Sequence, residues 1–140
     1  MKISSSPITL LFSATIIVSV FVFFFFGIYT VEGRSMMPNL GPGRNVIILK
    51  HIPADGIHPG DIIVFESPVD GTLVIKRCAG IGGEQIMNGN TAIAIPPQTV
   101  FALGDNSDRS KDSRHYGTVP VSAIKGKVIF PIIGGSARGE

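Results

Sequence analysis

The chain is poor in cysteine, histidine and excess charge. It has one cysteine, Cys78, no tryptophan and three histidines in 140 residues. A lone cysteine forms no internal disulfide, and no CxxC pair or His/Cys/Asp ligand spacing marks a metal centre, so no metal or cofactor is expected. Cys78 follows Lys76-Arg77 in an apolar stretch and reads as a small core residue rather than a reactive thiol. Twelve Lys and Arg stand against ten Asp and Glu, a net charge of +2 with no basic run. That excludes the electrostatic footprint of a nucleic-acid binder. Internal repeats are absent too, and no long amphipathic helix follows residue 31.

The most telling absence is local. No charged residue occurs from Ile3 to Val31, a stretch that includes IIVSVFVFFFFGIY at Ile16–Tyr29. A helix needs roughly 20 apolar residues to cross a bilayer core. A cleaved signal peptide would have a shorter apolar stretch and a small-residue cleavage site, and Val31-Glu32-Gly33 is a poor one. A core helix would need a domain large enough to wrap it on all sides. Residues 1–31 are therefore expected to be a retained transmembrane anchor. Lys2 favours a cytoplasmic N-terminus and an outward-facing C-terminal part. With no transit peptide ahead of the short span, a bacterial cytoplasmic membrane is favoured over a mitochondrial inner membrane.

The remaining sequence fits one small domain, residues 32–133, and a Gly-rich tail, residues 134–140. Short apolar segments, mostly rich in Val and Ile, are expected as strands at Asn45–Leu49, Asp61–Phe65, Thr72–Ile75, Thr91–Ile95, Thr99–Leu103 and Lys127–Phe130. Gly, Pro, Asn and Asp punctuate the gaps, and Val69-Asp70-Gly71-Thr72 looks like a tight hairpin. The expected fold is mostly β: one membrane helix, then a compact β domain.

Three segments carry candidate chemistry. Ser35 lies in Gly33-Arg34-Ser35-Met36-Met37-Pro38, and a serine hydroxyl becomes a nucleophile only when a base takes its proton. Lys76 ends the apolar run Leu73-Val74-Ile75. A free lysine ionises near 10.4, too high for a base at neutral pH, and burial lowers that value. The stretch Gly104–Arg114 (GDNSDRSKDSR) is dense in side chains that can brace a site, with Asp112 placed to pair with Arg114. Each segment alone has a plainer reading: a turn serine, a snorkelling lysine, a solvated loop.

Their order changes the reading. Ser35 in SMMP, Gly60–Phe65 (GDIIVF), Lys76-Arg77 after an apolar strand, and GDNSDRSKDSR resemble the successive boxes of type I signal peptidases. The resemblance spans about Val31 to Phe130. It implies a membrane-bound endopeptidase that removes signal peptides from exported preproteins. Ser35 would be the nucleophile and Lys76 the general base. Ser110 would orient the lysine amine, and Asp112 and Arg114 would form a supporting ion pair. Gly104, Asp105 and Asn106 would shape the floor, and Met36, Met37 and Pro38 would contribute to substrate binding. The Ser35 backbone amide would serve the oxyanion. The implied partners are preproteins and the lipid bilayer. Gly33 stands where some members have a hydroxyl, Asn39 where Thr is usual, and Gly82-Gly83-Glu84 where Pro-Gly-Asp is common. The short Lys76–Gly104 interval leaves no room for the extra β domain of larger enzymes.

Two competing readings remain at this point. One is a Ser–His–Asp hydrolase built on Ser35 and His115; the other is a non-catalytic membrane-anchored β module. The distance between the Ser35 hydroxyl and the Lys76 amine separates them from the Ser–Lys reading.

Overall fold

The computed structural model describes residues 6–131. The proposed tail, residues 134–140, lies outside the described residues. Helix α1 runs Pro7–Phe25, 19 residues, long and apolar enough to cross a membrane and with none of its length buried against the rest of the chain. Pro7 opens it, where the missing N–H costs nothing.

The apolar run does not stay helical to Val31. Phe26–Thr30 forms strand β1, antiparallel to β2 (Asn45–Leu49), with Phe26 opposite Leu49 and Thr30 opposite Asn45. The sheet thus begins inside the expected 1–31 anchor. The end of α1 is held to it by the residues after β2. The Lys50 N–H donates to the Phe25 carbonyl at 2.7 Å, and its amine donates to the Phe23 carbonyl at 3.3 Å. A cation there complements the negative end of the helix dipole. The His51 ring stacks on Phe24 with centroids 4.5 Å apart.

The other strands are β3 (Ile62–Glu66), β4 (Leu73–Ile81), β5 (Gln85–Asn88), β6 (Thr91–Ala94), β7 (Thr99–Leu103), β8 (Val119–Pro120) and β9 (Ile124–Pro131). A short helix, α2, covers Ser113–Tyr116. Seven strands form one antiparallel sheet in the order β1-β2-β9-β3-β4-β7-β8, and β5 and β6 form a separate hairpin. All six expected strands are present: Asn45–Leu49 and Thr99–Leu103 match at both ends, and the other four have shifted ends. The β3–β4 turn is broader than a two-residue hairpin: Ser67 and Thr72 frame it, and the Asp70 carboxylate accepts from the Thr72 N–H at 3.2 Å and its hydroxyl at 2.8 Å.

The sheet curls. The Tyr29 hydroxyl on β1 donates to the Leu73 carbonyl on β4 at 2.8 Å, although β2, β9 and β3 lie between those strands in the order. Each face carries a core, as period-two alternation requires. Val31, Met36, Val46, Val64 and Ile75 pack on one, and Ile63, Phe65, Cys78, Val100 and Val119 on the other. Burying one such side chain contributes about 1.5–3 kcal/mol.

Candidate active site

Ser35 stands in the connection from β1 to β2. Val31 fixes the start of that connection: its N–H donates to the Arg44 carbonyl at 2.7 Å, and its carbonyl accepts from Gly43 at 2.8 Å. Gly33 turns the chain with φ +77°, a conformation that disfavours any residue with a Cβ. Met36 then plugs into the core, fully buried. Between these fixed points the Ser35 carbonyl accepts from the Asn106 N–H at 2.8 Å. Among the described residues the Ser35 N–H has no acceptor.

Lys76 lies opposite Ile63 in the β3–β4 ladder, on the same face of β4 as Val74 and Cys78. It is 4% exposed, and its amine meets the Ser35 hydroxyl at 2.8 Å. Burial among aliphatic neighbours pushes its pKa below that of free lysine, while the Asp112 carboxylate pulls partly back. The resulting pair is a hydroxyl in contact with an amine poised to lose its charge.

The Gly104–Arg114 segment braces both. Asp112 is completely buried and accepts from Arg114 Nε at 2.9 Å, Arg114 Nη2 at 2.7 Å and the Gly104 N–H at 2.9 Å. Burial alone would raise its pKa, but the Arg114 guanidinium and the Gly104 amide outweigh that and hold the carboxyl far below the usual range. Ser110 is buried against Gly104, and its hydroxyl has no hydrogen-bond partner among the described residues. Ser113 supports from behind, its oxygen accepting from the Ala102 N–H at 2.9 Å.

A second ion pair ties the elements together. Asp105 takes Arg77 Nε at 2.8 Å and Nη2 at 2.7 Å, and Asn39 Nδ2 at 2.7 Å. One carboxylate therefore joins the strand that carries Lys76 to the loop that follows Ser35. Asn39, a departure from the resembled pattern, has a role here. Arg77 was not singled out from sequence as part of the site; its only signal was its place beside Lys76.

An open cleft of about 320 Å³ leads to the pair, lined by Tyr29, Glu32, Gly33 and Ser35 on one wall and Thr72–Lys76 on the other. Met36, Met37 and Pro38 are not among its lining residues: Met36 is in the core, and Met37 and Pro38 face outward. No histidine hydrogen-bonds Ser35 among the described residues. His115 is exposed and accepts from the Asp112 N–H at 3.4 Å as part of the cap of α2. Cys78 is buried, and its thiol pKa is pushed up to about 11, as expected of a core residue. Among the described residues no cluster of His, Cys, Asp or Glu is arranged to hold a metal.

A family profile described as "Signal peptidase, peptidase S26" matches residues 5–96 and 87–133. The chain belongs to the signal peptidase family. It is 37% identical over 114 residues to mitochondrial inner membrane protease subunit 1 of Schizosaccharomyces pombe, covering 76% of this chain and 73% of that protein. It is 33% identical to mitochondrial ATP-independent inner membrane protease subunit 1a of Arabidopsis thaliana, covering 73% of this chain and 67% of that one. With signal peptidase I of Bacillus caldolyticus the identity is 32%, over 85% of this chain and 86% of that one. Family membership makes the chain a serine protease, and the apolar helix α1 agrees with a membrane location. These relatives' names cover both a bacterial and a mitochondrial setting; the membrane is common to both.

Proposed function

We propose that the chain removes signal peptides from membrane-held preproteins through a Ser35–Lys76 dyad. The observation that carries this reading is the 2.8 Å contact between the Lys76 amine and the Ser35 hydroxyl, with Lys76 buried. With the lysine neutral, the polarity of that contact reverses: the hydroxyl donates to the amine. Ser35 Oγ then attacks the scissile carbonyl as Lys76 takes its proton. The Ser35 N–H donates to the developing oxyanion. Lys76 returns the proton to the leaving amine, leaving an acyl-enzyme, and then activates the water that hydrolyses it. The Asp112–Arg114 pair holds the floor; the expected Ser110 contact to the amine is not made in this geometry, where the Ser110 hydroxyl has no partner among the described residues.

The cleft walls explain how a peptide is held. On one side, β1 is the edge strand of the sheet. On the other, Leu73–Lys76 pair with β3 alone, because the β7 ladder starts at Arg77. Beyond Leu73, whose carbonyl already accepts from Tyr29, an extended chain laid along the Val74–Lys76 edge gains main-chain hydrogen bonds irrespective of its sequence.

The deciding experiment is cleavage of a test preprotein by the detergent-solubilised chain, with N-terminal sequencing of the product. A single new N-terminus after the signal segment, absent with Ser35→Ala and with Lys76→Ala, is expected. Cleavage that survives Lys76→Ala would overturn the dyad.

A further inference from the structure

The cleft leading to Ser35 is lined by one carboxylate, that of Glu32. Three of its lining side chains are ionisable: Tyr29, Glu32 and Lys76. Burial drives Lys76 toward neutrality, and burial together with the Glu32 carboxylate keeps Tyr29 protonated. Glu32 is exposed and, among the described residues, enters no ion pair. Its field reaches the Tyr29 ring, whose hydroxyl bridges to the opposite wall at Leu73, 2.8 Å away. The carboxylate therefore belongs to the cleft rim and not to the far surface. A three-residue step from Glu32 to Ser35 spans at most about 10–11 Å. That bound is between Cα atoms and already exceeds the roughly 8 Å screening length at physiological salt, so Glu32 acts on a substrate side chain that enters the cleft beside it rather than on the scissile bond at a distance.

The geometry points to Glu32 as a specificity-determining residue: a rim carboxylate that favours Lys or Arg, and disfavours Asp or Glu, at one substrate position within a few residues of the scissile bond. This deepens the peptidase reading and rests on it. Backbone edges bind any sequence, and the apolar wall from Leu73 to Ile75 sorts by size. Of the lining side chains Glu32 is the exposed one that can draw a distinction by sign of charge, since Lys76 is buried against the Ser35 hydroxyl. Because the group is solvated, the preference is modest and weakens with salt.

The test uses the full-length chain in detergent and a set of peptides carrying Lys, Gln or Glu in turn at each of four positions before and two after the cleaved bond. Cleavage is read as kcat/KM, and binding is read separately on Ser35→Ala. At one position we expect Lys to exceed Glu by about 3- to 10-fold, the size of a single solvent-exposed charge interaction. Glu32→Gln should flatten that ratio, Glu32→Lys should invert it, and 1 M salt should shrink it. A Glu32→Lys chain that keeps the wild-type ranking at every position overturns the inference. If the wild type cleaves nothing while peptide binding still follows the charge at residue 32, the peptidase reading falls and the recognition role stands.

Discussion

Gly104 lies so close to Ser35 that a methyl group added to it would sit 2.7 Å from the Ser35 carbonyl oxygen. It would also run into the Ser110 side chain. The floor of the site is a glycine because two functional segments converge on one backbone position. Gly104→Ala should therefore displace Ser35 relative to Lys76. A shift of about 1 Å costs on the order of 100-fold in rate. We expect kcat to fall by about that factor with a smaller change in melting temperature, read by steady-state kinetics and calorimetry.

The dyad itself predicts a sharp split among side chains. Ser35→Ala and Lys76→Ala should each lower kcat/KM by at least about 1,000-fold, as removal of a nucleophile or its base does elsewhere. His115→Ala should keep most of the activity, since His115 caps α2 and does not reach Ser35. Strong loss on His115→Ala with activity kept by Lys76→Ala would restore the Ser–His–Asp alternative.

Burial of Lys76 has two consequences of known sign. Its pKa is lowered on folding, so the neutral base is present at lower pH than for free lysine. kcat/KM should rise with pH along one limb centred below about 10.4, then level. Between the folded value and about 10.4 the unfolded chain binds more protons, so stability should also rise with pH across that window. Lys76→Met should abolish activity, remove that slope, and stabilise the fold at neutral pH by on the order of 1 kcal/mol. A flat rate profile from pH 6 to 9 would count against a lysine base.

Asp112 behaves in the opposite direction. Its carboxyl is held low by Arg114 and the Gly104 amide despite burial. The stability it contributes is present above the unfolded value, about 3.9, and is lost as pH falls through the folded value. Asp112→Asn should cost about 3 kcal/mol, the low end for breaking a buried pair, because Arg114 is partly exposed. It should also remove the steepest part of acid unfolding, measurable by denaturant titration between pH 5 and 2.

Asp105 tests the coupling of the two halves. Asp105→Asn weakens the fork to Arg77 but spares the Asn39 contact in part. We expect stability to fall by about 1 kcal/mol, since the pair is partly solvated, and kcat to fall about 10-fold. Loss of stability with unchanged kcat would show that the fork braces the fold without setting the dyad.

The strands were readable because their Val and Ile clusters are short and bounded by Gly, Pro and Asp. The division of the N-terminal run was not. Phe24, Phe25 and Phe26 look alike to any periodicity argument, and a continuous apolar run has no period to separate helix from strand. The usable signal was Gly27 followed by Ile28, Tyr29 and Thr30, residues that favour a pleated surface. Strand β5 escaped for the reverse reason: Gln85-Ile86-Met87-Asn88 has too little Val, Ile or aromatic content to stand out. Ser35, Lys76 and Asp112 were identifiable by order of motifs. The Arg77–Asp105–Asn39 junction was not, because spacing along the chain says nothing about which carboxylate a guanidinium meets.

Helix α1 passes into β1 without an intervening loop, and Lys50 and His51 clasp the joint. The anchor is therefore less a tether than a fixed standoff. With α1 in a bilayer, the proposed Ser35 nucleophile would stand at a height set by sheet packing rather than by slack chain. On the proposed mechanism such a site would measure as well as cut: a bond presented one helical turn too deep or too far out should be cleaved poorly however suitable its sequence.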